Sequence, residues 1–328
     1  MMGEPQCLES REFDAAQLVV SHPPIWKHVL KQQIHDYMQV NGAAPTGVLR
    51  YSRWKVADLP PVLHTHSVKV EVDADVYSYP PSPGATWHVN FADPNLFVAY
   101  GSGLLAQDEL QVLEHPVLGS VREALLAAGY SARTRENDRS TPVLIANVQR
   151  QCALDTFPDP DQGRPRGLYG NQFQRAEWAA VQSALTVLSP AIMTNLICIA
   201  APTGSGAYTE AQIHDVLETA FTGMRAAVLE SSHISPGAKV TIHTGFWGCG
   251  AFGGNRPLMA LLQLLAARLA RVDKLVFYTG AQSEVIPFEN GQAILRRILE
   301  KTGAEPSLLN ILNVIVDQRF VWGTSDGN

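Results

Sequence analysis

Residues 239–279 read KVTIHTGFWGCGAFGGNRPLMALLQLLAARLARVDKLVFYT. Val240 and Ile242 alternate with polar neighbours, which predicts a short strand. Gly245, Gly248, Gly250, Gly253 and Gly254 then surround Trp247, Cys249 and Phe252 in a turn. Glycine at this density permits positive φ and lets backbone N–H groups come close to a ligand, because no Cβ intervenes. Asn255 suits an N-cap and Pro257 the first helical turn, so a helix is expected to start where the loop ends. Leu258, Leu261, Leu262, Leu265 and Leu269 recur at helical spacing toward a core, and a second strand is expected at Leu275–Tyr278. The result is a β–loop–α–β unit whose helix dipole favours an anion at the loop, such as a diphosphate. A tight turn that only packs a helix on a sheet is the plainer alternative. No Gly-Lys-Ser/Thr closes the loop as in a nucleotide P-loop, and the spacing does not fit the dinucleotide fingerprint.

TGFWGCGAFGG, followed by LMALLQLLAA and a strand, resembles the diphosphate-binding segment of the poly(ADP-ribose) glycohydrolases. That family's catalytic domain is an enlarged macrodomain. Phe246 stands where the family usually has Asn.

A second stretch, TWHVNFADPNLFVAYGSGLLAQDELQVLEHP, begins at Thr86. Trp87, Val89 and Phe91 alternate as a strand, Asp93-Pro94 breaks it, Gly101-Ser102-Gly103 turns, and a helix is expected from about Leu105. Gln107, Asp108 and Glu109 lie in its first turns, where the helix dipole stabilises carboxylates and a solvated acidic turn is the ordinary reading. The family carries Val-Asp-Phe-Ala-Asn, a glycine run and then Gln-Glu-Glu. The chain offers Val89-Asn90-Phe91-Ala92-Asp93, Gly-Ser-Gly and Gln107-Asp108-Glu109 in the same order. The family's Asp and Asn are thus exchanged as Asn90 and Asp93, and its glycine run is shortened.

The resemblance implies a three-layer α/β/α, macrodomain-like mixed sheet over residues 61–328, with residues 1–60 expected as an N-terminal helical accessory segment. It implies Glu109 as the catalytic acid/base with Asp108 beside it, and Asn90, Asp93 and Gln107 around the distal ribose. Gly248, Cys249, Gly250, Ala251, Phe252 and Gly253 would hold the diphosphate and ribose of an ADP-ribose ligand. The activity implied is hydrolysis of the glycosidic bond of ADP-ribose in poly- or mono-ADP-ribosylated protein. A non-hydrolytic ADP-ribose reader and a mono-ADP-ribosyl hydrolase of altered linkage are the alternatives. The scheme calls for no metal or organic cofactor.

Elsewhere, NVQRQCALDTF at 147–157 resembles a family Arg-Cys segment, and Tyr169 or Phe173 is a candidate adenine stacker. His64 and His66 would share a face of an extended segment, as metal ligands or as ordinary surface histidines. Residues 1–24 read as a loose leader before a helix near Pro24, YPPSPG at 79–84 as a loop, and Thr209 to Gln212 as a capping box. Strands at 196–200 and 240–243 are expected as sheet neighbours, and two helices near 290–301 and 306–317 should close the domain.

The 328 residues are 46% hydrophobic and 17% charged, enough for a substantial core, and the net charge of −6 excludes recognition of a polyanion by bulk charge. The ligand must be held by a local pocket, without direct nucleic-acid binding. Four cysteines form no CxxC, no secretory signal is visible and no apolar run nears about 18 residues. A soluble, cytoplasmic or otherwise intracellular protein is expected, without membrane association; export by a signal-less route is compatible with the same features.

Overall fold

The computed structural model describes residues 3–80, 84–302 and 305–327. Its first strand and helices are β1 (Gln6–Asp14), α1 (Ala15–Ser21) and α2 (Val29–Asn41). Next come β2 (Val48–Lys55), β3 (Lys69–Asp73), β4 (Ala85–Phe91), α3 (Gln107–Glu114) and α4 (Val117–Ala127). A two-stranded ribbon, β5 (Arg135–Glu136) and β6 (Arg139–Ser140), leads to β7 (Val143–Leu154), α5 (Trp178–Ala184) and β8 (Leu185–Ile199). The remainder is α6 (Glu210–Ile234), β9 (Val240–Gly245), α7 (Arg256–Ala270), β10 (Lys274–Tyr278), α8 (Val285–Thr302) and α9 (Leu308–Asp317).

Eight strands form one mixed sheet in the order β1-β2-β7-β8-β4-β9-β10-β3. The run from β8 to β3 is parallel, and the run from β1 to β8 is antiparallel. Alternate residues of the central strands feed two separate cores, as the period-2 geometry of a strand requires. Leu144, Ala146, Ile197 and Ile199 pack on one face with α6 to α9, whereas Val143, Ile145, Leu196 and Cys198 face α1 to α5 on the other. This is the expected three-layer arrangement.

Three expectations differ from the structure. Residues 1–60 are not solely helical, and residues 1–24 are not a loose leader: β1 and β2 pair with each other and β2 pairs with β7, extending the sheet. β8 and β9, the strands expected at 196–200 and 240–243, lie in one sheet, but β4 runs between them. That intervening strand carries the second informative stretch to the centre of the molecule.

The local signals act as their chemistry dictates. Thr209 and Gln212 bond reciprocally, Gln212 N to Thr209 Oγ1 at 3.2 Å and Thr209 N to Gln212 Oε1 at 3.0 Å. Asn255 Oδ1 accepts from Leu258 N at 3.1 Å and so caps α7. Pro81 to Pro83 of the expected proline-rich loop lie outside the described residues. No helix among the described residues is long and apolar enough to cross a membrane.

Candidate active site

A cavity of about 950 Å³ opens at the ends of the parallel strands, bordered by the β4–α3 connection on one side and the loop between β9 and α7 on the other. Asp93, Gln107, Asp108 and Glu109 line it together with Gly248, Cys249, Gly250, Ala251 and Phe252. Regions far apart in sequence thus share one wall-to-wall space.

The glycine loop is held open by steric necessity. Gly248 has φ +74°, and a Cβ there would lie 2.5 Å from the Cβ of Ala201; at Gly254 a Cβ would meet Gly248 O at 2.7 Å. Trp247 is buried, and its Nε1 donates to Ile199 O at 2.9 Å, tying the loop to the end of β8. Among the described residues, the N–H groups of Gly248, Gly250, Ala251 and Phe252 donate to no main-chain oxygen, and the Asp326 carboxylate lies beside Gly250. Several N–H donors without main-chain partners beside a cavity, just ahead of a helix N-terminus, form a nest suited to phosphate oxygens. Burial pushes the Cys249 thiol up to about 12, so the loop presents a neutral S–H there.

Opposite this loop, α3 delivers its first turn to the cavity. Gln107 spans the gap to β4, with Oε1 accepting from Phe91 N at 2.8 Å and Nε2 donating to Val89 O at 3.1 Å. Asn90 Nδ2 donates to Asp108 Oδ1 at 2.9 Å. Glu109 Oε2 accepts from Ala106 N at 3.0 Å, closing the start of its own helix. Both carboxyls are buried, with Asp108 6% and Glu109 4% exposed. Burial raises the proton affinity of Asp108, the Glu109 charge raises it further, and the Asn90 hydrogen bond opposes. Burial likewise raises Glu109, against the positive charge of Lys31. Two adjacent carboxyls sharing one desolvated wall are a means of keeping a proton available near neutral pH.

Not every expected residue reaches the cavity surface. Asn90 is fully buried behind it and acts on Asp108, while its Oδ1 has no partner among the described residues. Gly253 also lies outside the lining; its carbonyl accepts from Gly323 N at 2.8 Å in the segment that follows α9. Of the two aromatic candidates, Tyr169 lines the cavity, whereas Phe173 is fully buried beside His28 with ring centroids 5.9 Å apart. His64 and His66 do not converge: His64 Nδ1 lies 3.3 Å from Glu305, and His66 Nε2 lies 2.9 Å from Val272 O.

The cavity also holds residues that sequence spacing did not single out. Arg150 makes paired bonds to Glu114 at 2.8 and 3.0 Å and sits over the Tyr79 ring at 4.3 Å. Its charge is therefore largely taken, leaving Arg166 and Arg256 as further cations at the cavity; Arg256 lies 3.1 Å from Glu284. The only sequence signal for Arg150 was the Arg-Cys segment, which gave no partner.

Residues 168–286, just over a third of the chain and including the glycine loop, match the family described as poly(ADP-ribose) glycohydrolase (PARG), macro domain fold. Asp108 and Glu109 lie outside that match. Among solved structures, poly(ADP-ribose) glycohydrolase from Thermomonospora curvata bound to the inhibitor ADP-HPD is 15% identical, with a TM-score of 0.43 over 85% of this chain and 84% of that chain. The Deinococcus radiodurans enzyme in complex with ADP-ribose is 14% identical, with a TM-score of 0.43 over 90% and 96%. The family recognised from the two sequence stretches is thus the family that the chain matches over residues 168–286.

Proposed function

We propose that this chain is an ADP-ribosyl glycohydrolase of the poly(ADP-ribose) glycohydrolase type, releasing ADP-ribose from modified protein or from polymer. The observation that carries the reading is the meeting of the Asp108–Glu109 pair and the glycine loop on one cavity. In this scheme the N–H groups of Gly248, Gly250, Ala251 and Phe252 take the diphosphate, which fixes the distal ribose beside α3. As the bond from the anomeric carbon to the leaving oxygen breaks, Glu109 gives that oxygen its proton. The ribose passes through an oxocarbenium-like state, stabilised by the neighbouring negative charge. Water then adds to the anomeric carbon and returns a proton to Glu109. Asp108, held by Asn90, and Asp93 orient the ribose hydroxyls. Tyr169 lies on the same wall and flanks the ligand. With its four cysteines free, the protein suits a reducing, intracellular setting.

Glu109→Gln keeps the shape and the hydrogen bond of the side chain but removes its acid/base function. It is expected to lower release of ADP-ribose from poly-ADP-ribosylated and mono-ADP-ribosylated proteins by about 10²–10⁴-fold, with ADP-ribose affinity retained. Turnover by the variant at the wild-type rate would refute the assignment. Wild-type binding without release from any modified substrate would leave the reader function in its place.

A further inference from the structure

Helix α2 sends one side chain into the region behind the carboxyl pair. Lys31 is fully buried, and its Nζ donates to Tyr100 O and to Leu104 O, each at 2.7 Å. Those carbonyls bracket the turn at 101–103. Two residues beyond Leu104, the N–H of Ala106 donates to the Glu109 carboxylate at 3.0 Å. One short run of backbone, 100–106, is therefore gripped by an ammonium at one end and a carboxylate at the other.

A neutral donor would satisfy two carbonyls without the cost of desolvating a charge. What a neutral donor would not supply is a positive charge facing the carboxyls. Burial lowers Lys31 to about 8, while Glu109 and then Asp108 act in the opposite direction. Other charged or titratable groups around this cluster are Asp93, which faces both carboxyls, the buried Cys198 thiol near Asp108, Tyr169 near Glu109, and His28 near Lys31. Lys31 is the cation that acts on both members of the pair.

We propose that Lys31 is a positioning residue for the carboxyl pair: its ammonium fixes the turn from which α3 starts and offsets the negative charge that Glu109 carries once its proton has left. What the carboxyls do in turnover rests on the glycohydrolase reading; the coupling of Lys31 to Glu109 does not. A segment that the sequence placed outside the catalytic domain thereby becomes part of the apparatus.

The test uses the full chain and site-resolved NMR titration of the Glu109 carboxyl carbon. Lys31→Gln keeps hydrogen-bond donors and removes the charge, and should move the Glu109 midpoint up by about one pH unit; Lys31→Arg should leave it near the wild-type value. The pH profile of kcat should move upward with it. Coupling is reciprocal, so Glu109→Gln should lower the midpoint of the Lys31 side chain by a similar amount. That second measurement needs no change at Lys31 and holds even where Lys31→Gln does not fold. An unchanged Lys31 midpoint in Glu109→Gln, or an unchanged Glu109 midpoint in folded Lys31→Gln, would overturn the proposal. If the wild type releases no ADP-ribose from any substrate, the glycohydrolase reading falls while the two titrations still decide the role of Lys31.

Discussion

Two adjacent carboxyls in a desolvated wall make the folded state pay for every proton it gives up. Asp108 and Glu109 are both raised by burial, so their folded proton affinities lie above those of unfolded carboxyls, at about pH 4. Below that pH both states are protonated and the stability is fully present. As pH rises the unfolded chain ionises first, and stability is lost until the folded pair ionises as well. Lys31 is shifted down to about 8, so its contribution changes only between there and the unfolded lysine value near about 10.4, where stability rises with pH. For Asp108, pushed up to about 8, the first window ends where that of Lys31 begins. Asp108→Asn keeps a neutral side chain at every pH and is expected to flatten the fall in Tm between about pH 4 and 7 relative to wild type. Parallel Tm–pH curves for the two proteins would show that Asp108 is not held protonated. Nothing in the side-chain chemistry of Gln-Asp-Glu alone announces this behaviour. It arises because the fold buries both carboxyls, against the opposing pull of Asn90 and Lys31, which stand 18 and 78 residues away from Asp108 and Glu109.

Among the elements, the β9–loop–α7 unit was the most legible because its signals are local. Glycines that need open space, Asn255 as a cap and a leucine stripe each act within a few residues of where they stand. The β4–α3 connection was legible as a strand, a turn and a helix start, but its contacts were not. Gln107 is a clamp between β4 and α3, and Asn90 sits behind Asp108, because β4 runs down the middle of the sheet against α3. The loop supports a sharp prediction. Gly248→Ala places a methyl group against Ala201 in a left-handed backbone, and is expected to cost about 1–3 kcal/mol of stability and to weaken ADP-ribose binding. Calorimetric titration with ADP-ribose, alongside thermal unfolding, reads both effects. Wild-type affinity with wild-type Tm would mean that the loop does not need its left-handed turn.

For the whole molecule, the family resemblance implied the layered α/β class, yet the strand order was not readable. Sheet order is set by pairings between distant segments, such as β2 with β7 through Arg50 to Arg53, and periodicity carries no record of them. That pairing makes β1 and β2 part of the sheet, and Lys31 links helix α2 between them to the turn before α3. Deleting residues 1–60 would bare the edge of β7 and strip the core around α2, so the truncated chain is expected to aggregate. A soluble truncated chain with a cooperative unfolding transition would contradict this account. The claim on which all scales depend is that one nucleotide-sugar reaches from the glycine loop to α3. The most direct measurement is a crystal structure of Glu109→Gln with ADP-ribose. The diphosphate is predicted against the N–H groups of Gly248, Gly250, Ala251 and Phe252, with the distal ribose in contact with residue 109. A ligand bound away from this loop, or with its terminal ribose turned from residue 109, would contradict it.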